Sequence, residues 1–162
     1  MHRKSPLATF FGRYDGFRYN RSESASSQFY RLCDFKKWPK YASQRMNAHA
    51  DFKQALTNQF NLNYGTNVDD LGSWQSLCMH IGIKPIPDDL EECKKAVQRT
   101  HVNLVDLVDA FGTNRPIKVF RTERQLSEYT IKTGKYFPRD EIEAGDLLKF
   151  LLRHIFNPGR TD

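Results

Sequence analysis

The stretch Tyr41-Ala42-Ser43-Gln44-Arg45-Met46-Asn47-Ala48-His49-Ala50-Asp51-Phe52-Lys53-Gln54-Ala55-Leu56-Thr57-Asn58-Gln59-Phe60 decides the fold class. Ala42, Met46, His49, Phe52/Lys53, Leu56 and Phe60 recur three or four positions apart. That spacing builds one stripe along a helix, whereas a strand would alternate every second residue. A helix over residues 41–59 follows, with Pro39 before it and a break at Tyr64-Gly65 after it.

Working outward, the same signals repeat on both sides. A serine cluster near Ser26 opens a helix carrying Phe29, Leu32 and Cys33, and Pro39 disfavours helix at Trp38. Beyond the break, Thr66 or Asn67 can cap a helix with Asp69 and Asp70 in its first turn and Leu71, Trp74, Leu77/Cys78 and Ile81 inside. Gly82 to Pro87 reads as a stiff connector, and Asp88 or Asp89 starts a helix through Leu90, Cys93, Lys94 and Val97. Asn103 caps residues 104–108, with Gly112 as the stop. Residues 117–120 form one short extended run, and Thr122-Glu123-Arg124-Gln125 resembles a capping box opening a helix through Leu126 and Tyr129. A last helix is expected over 139–155 with Ile142, Leu147/Leu148, Leu151/Leu152 and Ile155, stopped by Pro158-Gly159. The sum is an all-α, compact bundle of six or seven helices with at most one short extended segment near 117–120.

The 162 residues fit one domain. Three parts are expected: an irregular arm over 1–25, one helical domain over 26–157 and a tail over 158–162. No window approaches 18 consecutive apolar residues, and residues 1–15 lack an apolar run, so neither a membrane span nor a secretory signal is predicted. Three widely spaced cysteines, Cys33, Cys78 and Cys93, suit a reducing cytoplasm or nucleus rather than a disulfide scaffold.

Several segments together resemble a family of fungal intracellular helical proteins to which no activity is assigned. The resemblance covers roughly residues 28–156. It is carried by Trp74-Gln75-Ser76-Leu77-Cys78, Pro85-Ile86-Pro87, Cys93, Val102-Asn103-Leu104-Val105-Asp106-Leu107-Val108, Tyr129-Thr130, Lys135-Tyr136-Phe137-Pro138 and Leu147-Leu148-Lys149-Phe150-Leu151-Leu152-Arg153. It implies a fungal source and an intracellular helical protein, and it brings no catalytic residue with it.

Net charge is +6 but unevenly spread. Residues 1–64 hold 11 Lys/Arg against 4 Asp/Glu, residues 65–115 hold 5 against 8, and residues 116–162 hold 9 against 7. The basic excess therefore sits in the first third and suits an acidic partner, or packing against the acidic middle. Within it, Arg3, Lys4, Arg13, Arg18 and Arg21 interleave with Phe10, Phe11, Tyr14, Phe17 and Tyr19. Such density of rings is costly to leave in water.

Two functions compete for this arm. The leading expectation is a non-enzymatic module that binds another protein, or itself, through Phe10, Phe11, Tyr14, Phe17 and Tyr19. The alternative is nucleic-acid binding through Arg13, Arg18, Arg21, Lys36, Lys37 and Lys40, where cations meet phosphate and rings stack on bases. The competing structural reading packs the rings on the body and leaves the charges in water.

Enzymatic chemistry has thinner support, and no catalytic residue, metal or cofactor is assigned. Cys78, His80, Cys93 and His101 lack a zinc knuckle and share phases with core residues. Cys33 has Arg31, Lys36 and Lys37 nearby, which could lower its pKa, but no catalytic signature surrounds it. Asp106 and Asp109 lie on one helix face and, with His101, are the least unpromising acid–base groups; a solvated helix face is the plainer account. Lys132-Thr133-Gly134-Lys135 lacks the leading glycine and strand of a phosphate loop and reads as a helix end.

Overall fold

Short polar residues set where the helices begin. In the computed structural model, which describes residues 5–113 and 115–154, Ser5 accepts from Ala8 N and Pro6 stands at the first position of α1 (Pro6–Phe11). Asp70, Asp89, Asn103 and Thr122 likewise accept from the backbone two or three residues on, opening α4 (Leu71–Ile81), α5 (Leu90–Gln98), α6 (Leu104–Ala110) and α7 (Glu123–Thr133). In α7 the expected capping box is partly made, since Gln125 Oε1 reaches back to Arg121 N at 3.1 Å. α2 (Ala25–Lys36) differs, because its cap Ser24 makes no such bond. Its first N–H is taken instead by Asp109 Oδ1 on α6, at 3.0 Å.

The architecture is all-α, with eight helices among the described residues and one small antiparallel pair. α3 (Ser43–Tyr64) is the longest helix, and α8 (Asp146–His154) closes the order. The pair joins β1 (His101–Val102) to β2 (Val119–Phe120), with His101 opposite Phe120 and Val102 opposite Val119. The extended segment expected near 117–120 is thus β2, and its partner is a two-residue run just before α6.

One apolar core runs through the chain, from Leu7, Phe10 and Phe11 on α1 to Leu147, Leu148, Leu151 and Leu152 on α8. Trp74 is fully buried, and its indole N–H donates to Val68 O at 2.8 Å, so a polar group enters the core satisfied. No described helix is long and apolar enough to cross a membrane.

Besides the cap of α4, which is Asp70 rather than Thr66 or Asn67, three expectations need correction. The arm over 1–25 is not irregular throughout: residues 6–11 are α1, which lies on α3 and belongs to the same core as the rest. The stripe on α3 is rotated in its first half, where Ala48 and Phe52 are buried while Met46 and His49 face solvent. The last helix starts at Asp146 rather than near 139, so Ile142 is 92% exposed. Its start is fixed by a distant contact: Leu147 N donates to Thr66 O at 3.1 Å, and a Cβ on Gly145 would lie 2.5 Å from Thr66 Cβ. Only glycine lets the two backbones approach that closely. Arg3, Lys4, Ile155 and the Pro158-Gly159 stop lie outside the described residues.

Candidate functional site

Two places gather chemistry-bearing side chains: a basic and aromatic face along α2, and a polar cavity beside α6. The face is built by the chain that follows α1. Phe10 and Phe11 turn inward, 1% and 0% exposed, and Phe11 stacks on Tyr19 with ring centroids 5.0 Å apart and planes at 13°. Tyr14, Phe17 and Tyr19 are half-buried against the same core. The five rings therefore do not form one open surface, because the core of α2 and α3 takes their apolar faces; Phe10 and Phe11 are corrected from contact residues to core.

What the arm leaves outside is cationic. Phe17 packs on Phe35 of α2 at 5.9 Å, Tyr14 on Trp38 at 5.8 Å, and the Arg31 guanidinium covers Phe17 at 4.5 Å while donating to Arg18 O. These contacts lay residues 13–18 alongside the C-terminal half of α2. Arg13, Arg18, Arg21, Lys36, Lys37 and Lys40 are all exposed. Arg13 pairs loosely with Asp51 at 3.5 Å, whereas Lys36, Lys37 and Lys40 form no ion pair among the described residues. Lys37 holds a left-handed backbone (φ 57°) that closes α2 through Lys37 N to Asp34 O and Trp38 N to Cys33 O. A side chain in that conformation costs about 1–2 kcal/mol relative to the right-handed region. Phe35, 48% exposed, and Tyr41, 82% exposed with Lys40 5.7 Å from its ring, are the open rings of this face.

The cavity brings together residues that are distant in sequence. Lys135 Nζ lies 2.8 Å from Asp106 Oδ1 and 2.9 Å from Tyr129 Oη, and the Tyr129 hydroxyl donates to Asp106 Oδ2 at 2.8 Å. Asn103 positions the group: its Oδ1 caps α6 at Asp106 N, while its Nδ2 donates to Thr130 Oγ1 and Lys135 O across the end of α7. The side chains of Lys135 and Asp106 are only 18% and 12% exposed. Burial alone would lower the Lys135 ammonium, but the bonds from Asp106 and Tyr129 outweigh it and its pKa is raised. Burial also pushes the Tyr129 phenol up, with the Lys135 hydrogen bond opposing the rise.

Asp109, one turn on, is not on a solvated face. Burial raises its carboxyl above the usual aspartate value, and the charge of Asp106 adds to the rise. The Ala25 N–H, the nearby Ser24 hydroxyl and the Lys135 charge oppose it. The Ser24 influence is one of proximity, since neither Ser24 Oγ nor Asp109 Oδ2 completes a hydrogen bond of good geometry. Between the unfolded value near 3.8 and the raised folded value, the native state keeps a proton that the unfolded state has released. Stability therefore falls as pH rises through that window. Asp109→Asn removes the ionisation and is expected to be more stable than the natural protein at about pH 7, with the gap closing toward about pH 4. Urea unfolding at both pH values checks it, and equal gaps at the two would refute the assignment.

The remaining cysteine candidates are core, and the two histidines are half-buried. Burial pushes the Cys78 thiol up to about 12, with Cys93 beside it adding to the rise, and burial raises Cys93 as well. The Cys33 thiol is raised by burial, which Arg45 only partly offsets, in line with the reading that it is not a nucleophile despite Arg31, Lys36 and Lys37 nearby in sequence. His80 Nδ1 meets Ser76 O at 2.8 Å and its ring stacks on Phe111, while His101 is held in β1, opposite Phe120. No group of three or more metal-binding side chains occurs among the described residues. No local signal marks Tyr129, Lys118, Arg115 or Ser24 as site residues: Tyr129 reads as a helix residue and Lys135 as part of a helix end, and both also fall in segments that carry the family resemblance. α7 does stop at Gly134, but the residue after the stop reaches back 29 positions to Asp106. No family model, curated protein or solved structure matches the chain.

Proposed function

We propose that this chain is a non-enzymatic module that binds single-stranded nucleic acid through the face formed by residues 13–18, the C-terminal half of α2 and residues 37–41. One observation carries the reading: Phe35 and Tyr41 stay open to solvent amid Lys36, Lys37 and Lys40, cations without carboxylate partners among the described residues. Rings stack on bases and ammonium groups neutralise phosphates, each without needing a particular base sequence. The left-handed Lys37 fits the same use, since glycine would close α2 with less strain.

Contact with another protein, or with a second copy of the chain, is the second reading. It keeps the half-buried Tyr14, Phe17 and Tyr19 and draws on exposed Ile131 and Tyr136. It ranks lower because the centres of protein interfaces are depleted in lysine. The fungal helical family and an intracellular compartment belong to the same proposal, and both agree with a binding role that requires no catalytic group.

Titration of labelled single-stranded DNA and RNA at about 50 and about 200 mM salt tests the reading. Four neutralised phosphates give a log–log slope of about −3, so affinity should fall about 50-fold across that interval. The Lys36→Glu, Lys37→Glu, Lys40→Glu variant should flatten the slope toward about −1, and Phe35→Ala or Tyr41→Ala should each weaken binding about 5- to 150-fold. Absence of binding at the lower salt, or binding indifferent to salt, overturns the proposal and leaves protein contact in its place.

A further inference from the structure

We propose that the cavity between α6, α7 and residues 115–118 binds a small anion that also carries a hydroxyl group, such as a sugar phosphate or a hydroxy acid. This inference is independent of the nucleic-acid reading and uses none of the same residues.

Three features of the cavity point to that chemistry. Its volume is about 210 Å³, and Asp109 and Arg115 also line a neighbouring cleft of about 460 Å³. At roughly 30 Å³ per water the smaller space alone holds on the order of seven waters, enough for a small metabolite. Second, two buried oxygens in its wall lack partners: Ser24 Oγ and Asp109 Oδ2. Buried polar atoms are nearly always satisfied, and the Ser24 hydroxyl, though close enough to act on Asp109, leaves that oxygen without a bond of good geometry, which a donor from the cavity can complete. A ligand hydroxyl supplies it to Asp109.

The third feature is unspent positive charge. The Arg115 guanidinium donates to Ser22 O alone, and the Lys118 ammonium rests over the rings of Phe120 and Tyr129 at 5.4 and 5.6 Å, with no carboxylate on either among the described residues. Lys135 spends two of its three N–H donors on Asp106 and Tyr129, leaving one. Both oxygens of Asp106 are engaged, so the carboxylate oxygen of the cavity wall that lacks a bond of good geometry is Asp109 Oδ2. An oxyanion held by Arg115 and Lys118, with its hydroxyl on Asp109, engages the two cations that lack a carboxylate and the Asp109 oxygen that lacks a donor.

The test follows backbone amide chemical shifts of the full chain during titration with four probes: glycerol 3-phosphate, malate, inorganic phosphate and glycerol. Saturable shifts confined to residues 24–25, 106–118 and 129–135, with glycerol 3-phosphate or malate but not glycerol, are expected. Glycerol 3-phosphate and malate separate a phosphate source from a carboxylate source, and inorganic phosphate alone should bind at least about tenfold more weakly than the better of the two. Lys118→Ala should weaken binding at least about tenfold, because a charge-assisted contact is lost from an exposed side chain that the fold does not need. The Lys36→Glu, Lys37→Glu, Lys40→Glu variant should titrate like the natural chain. The inference is overturned if no probe shifts these amides up to about 10 mM. It is equally overturned if glycerol alone binds as well, if Lys118→Ala changes nothing, or if the triple variant abolishes the shifts.

Discussion

Phe11→Ala is expected to destabilise the chain by about 3–5 kcal/mol, the range for emptying a buried aromatic site. The ring is fully buried and touches four others: Phe10 at 4.9 Å, Tyr19 at 5.0 Å, Phe17 at 5.7 Å and Phe52 at 6.0 Å between centroids. α1 cannot close over the gap, because its backbone is tied to α3 by Leu7 N donating to Gln59 Oε1 at 3.2 Å. Against a typical total of about 5–15 kcal/mol, the loss would remove about a fifth or more of the stability. Phe35→Ala, on the open side of the same aromatic group, should cost no more than about 1 kcal/mol. Urea midpoints of the two variants separate a sealed core from a detachable arm, and Phe11→Leu serves if the alanine variant does not fold. A Phe11→Ala midpoint equal to that of the natural chain would show that α1 is dispensable and return Phe10 and Phe11 to the set of contact residues.

The same contrast shows which parts of the molecule local sequence could reveal. Asp89, Asn103 and Thr122 were readable as helix starts because a cap involves a side chain and a backbone N–H within three residues. Asp70, by contrast, reads as a first-turn residue three or four positions past a cap at Asn67 or Thr66, and the structure makes it the cap itself. Ser5-Pro6 carries an equally local signal for α1, which the reading of residues 1–25 as an irregular arm does not use. The errors at α3 and α8 have another origin. Spacing alone fits the stripe from Ala42 through Met46 and His49 as well as one through Ala48 and Phe52, and α1 packs on the second, with Phe10 and Phe11 against Phe52. The start of α8 depends on Gly145 meeting Thr66, some 80 positions away. The candidate cavity is still less local: Asp106 and Asp109 could be singled out on one helix face, but Ser24, Tyr129 and Lys135 reach them only through the packing of α2, α6 and α7.

The Asp106–Lys135 pair gives the second large effect, and a double-mutant cycle reads it. Asp106→Leu leaves the Lys135 ammonium largely enclosed without a carboxylate, and Lys135→Met leaves Asp106 with only the Tyr129 hydroxyl. Each single change is expected to cost about 3 kcal/mol, the lower end for breaking a buried pair, since both side chains keep some contact with water. The double variant fills the same space with apolar atoms and removes both charges, so it should lose less than the sum of the singles by about 1.5–3 kcal/mol. Lys135 has a folded pKa above its unfolded value of 10.5, so its contribution is fully present below that pH and lost as pH rises through the folded value. Urea unfolding at neutral pH therefore measures the full coupling, and strictly additive losses would mean that the pair does not act as a unit. A double variant as stable as the natural chain would carry a further consequence. The charges would then be unnecessary to the fold, and the property they supply would be the polarity of the cavity beside Asp109, where the same double variant should abolish the amide shifts caused by the hydroxylated anion.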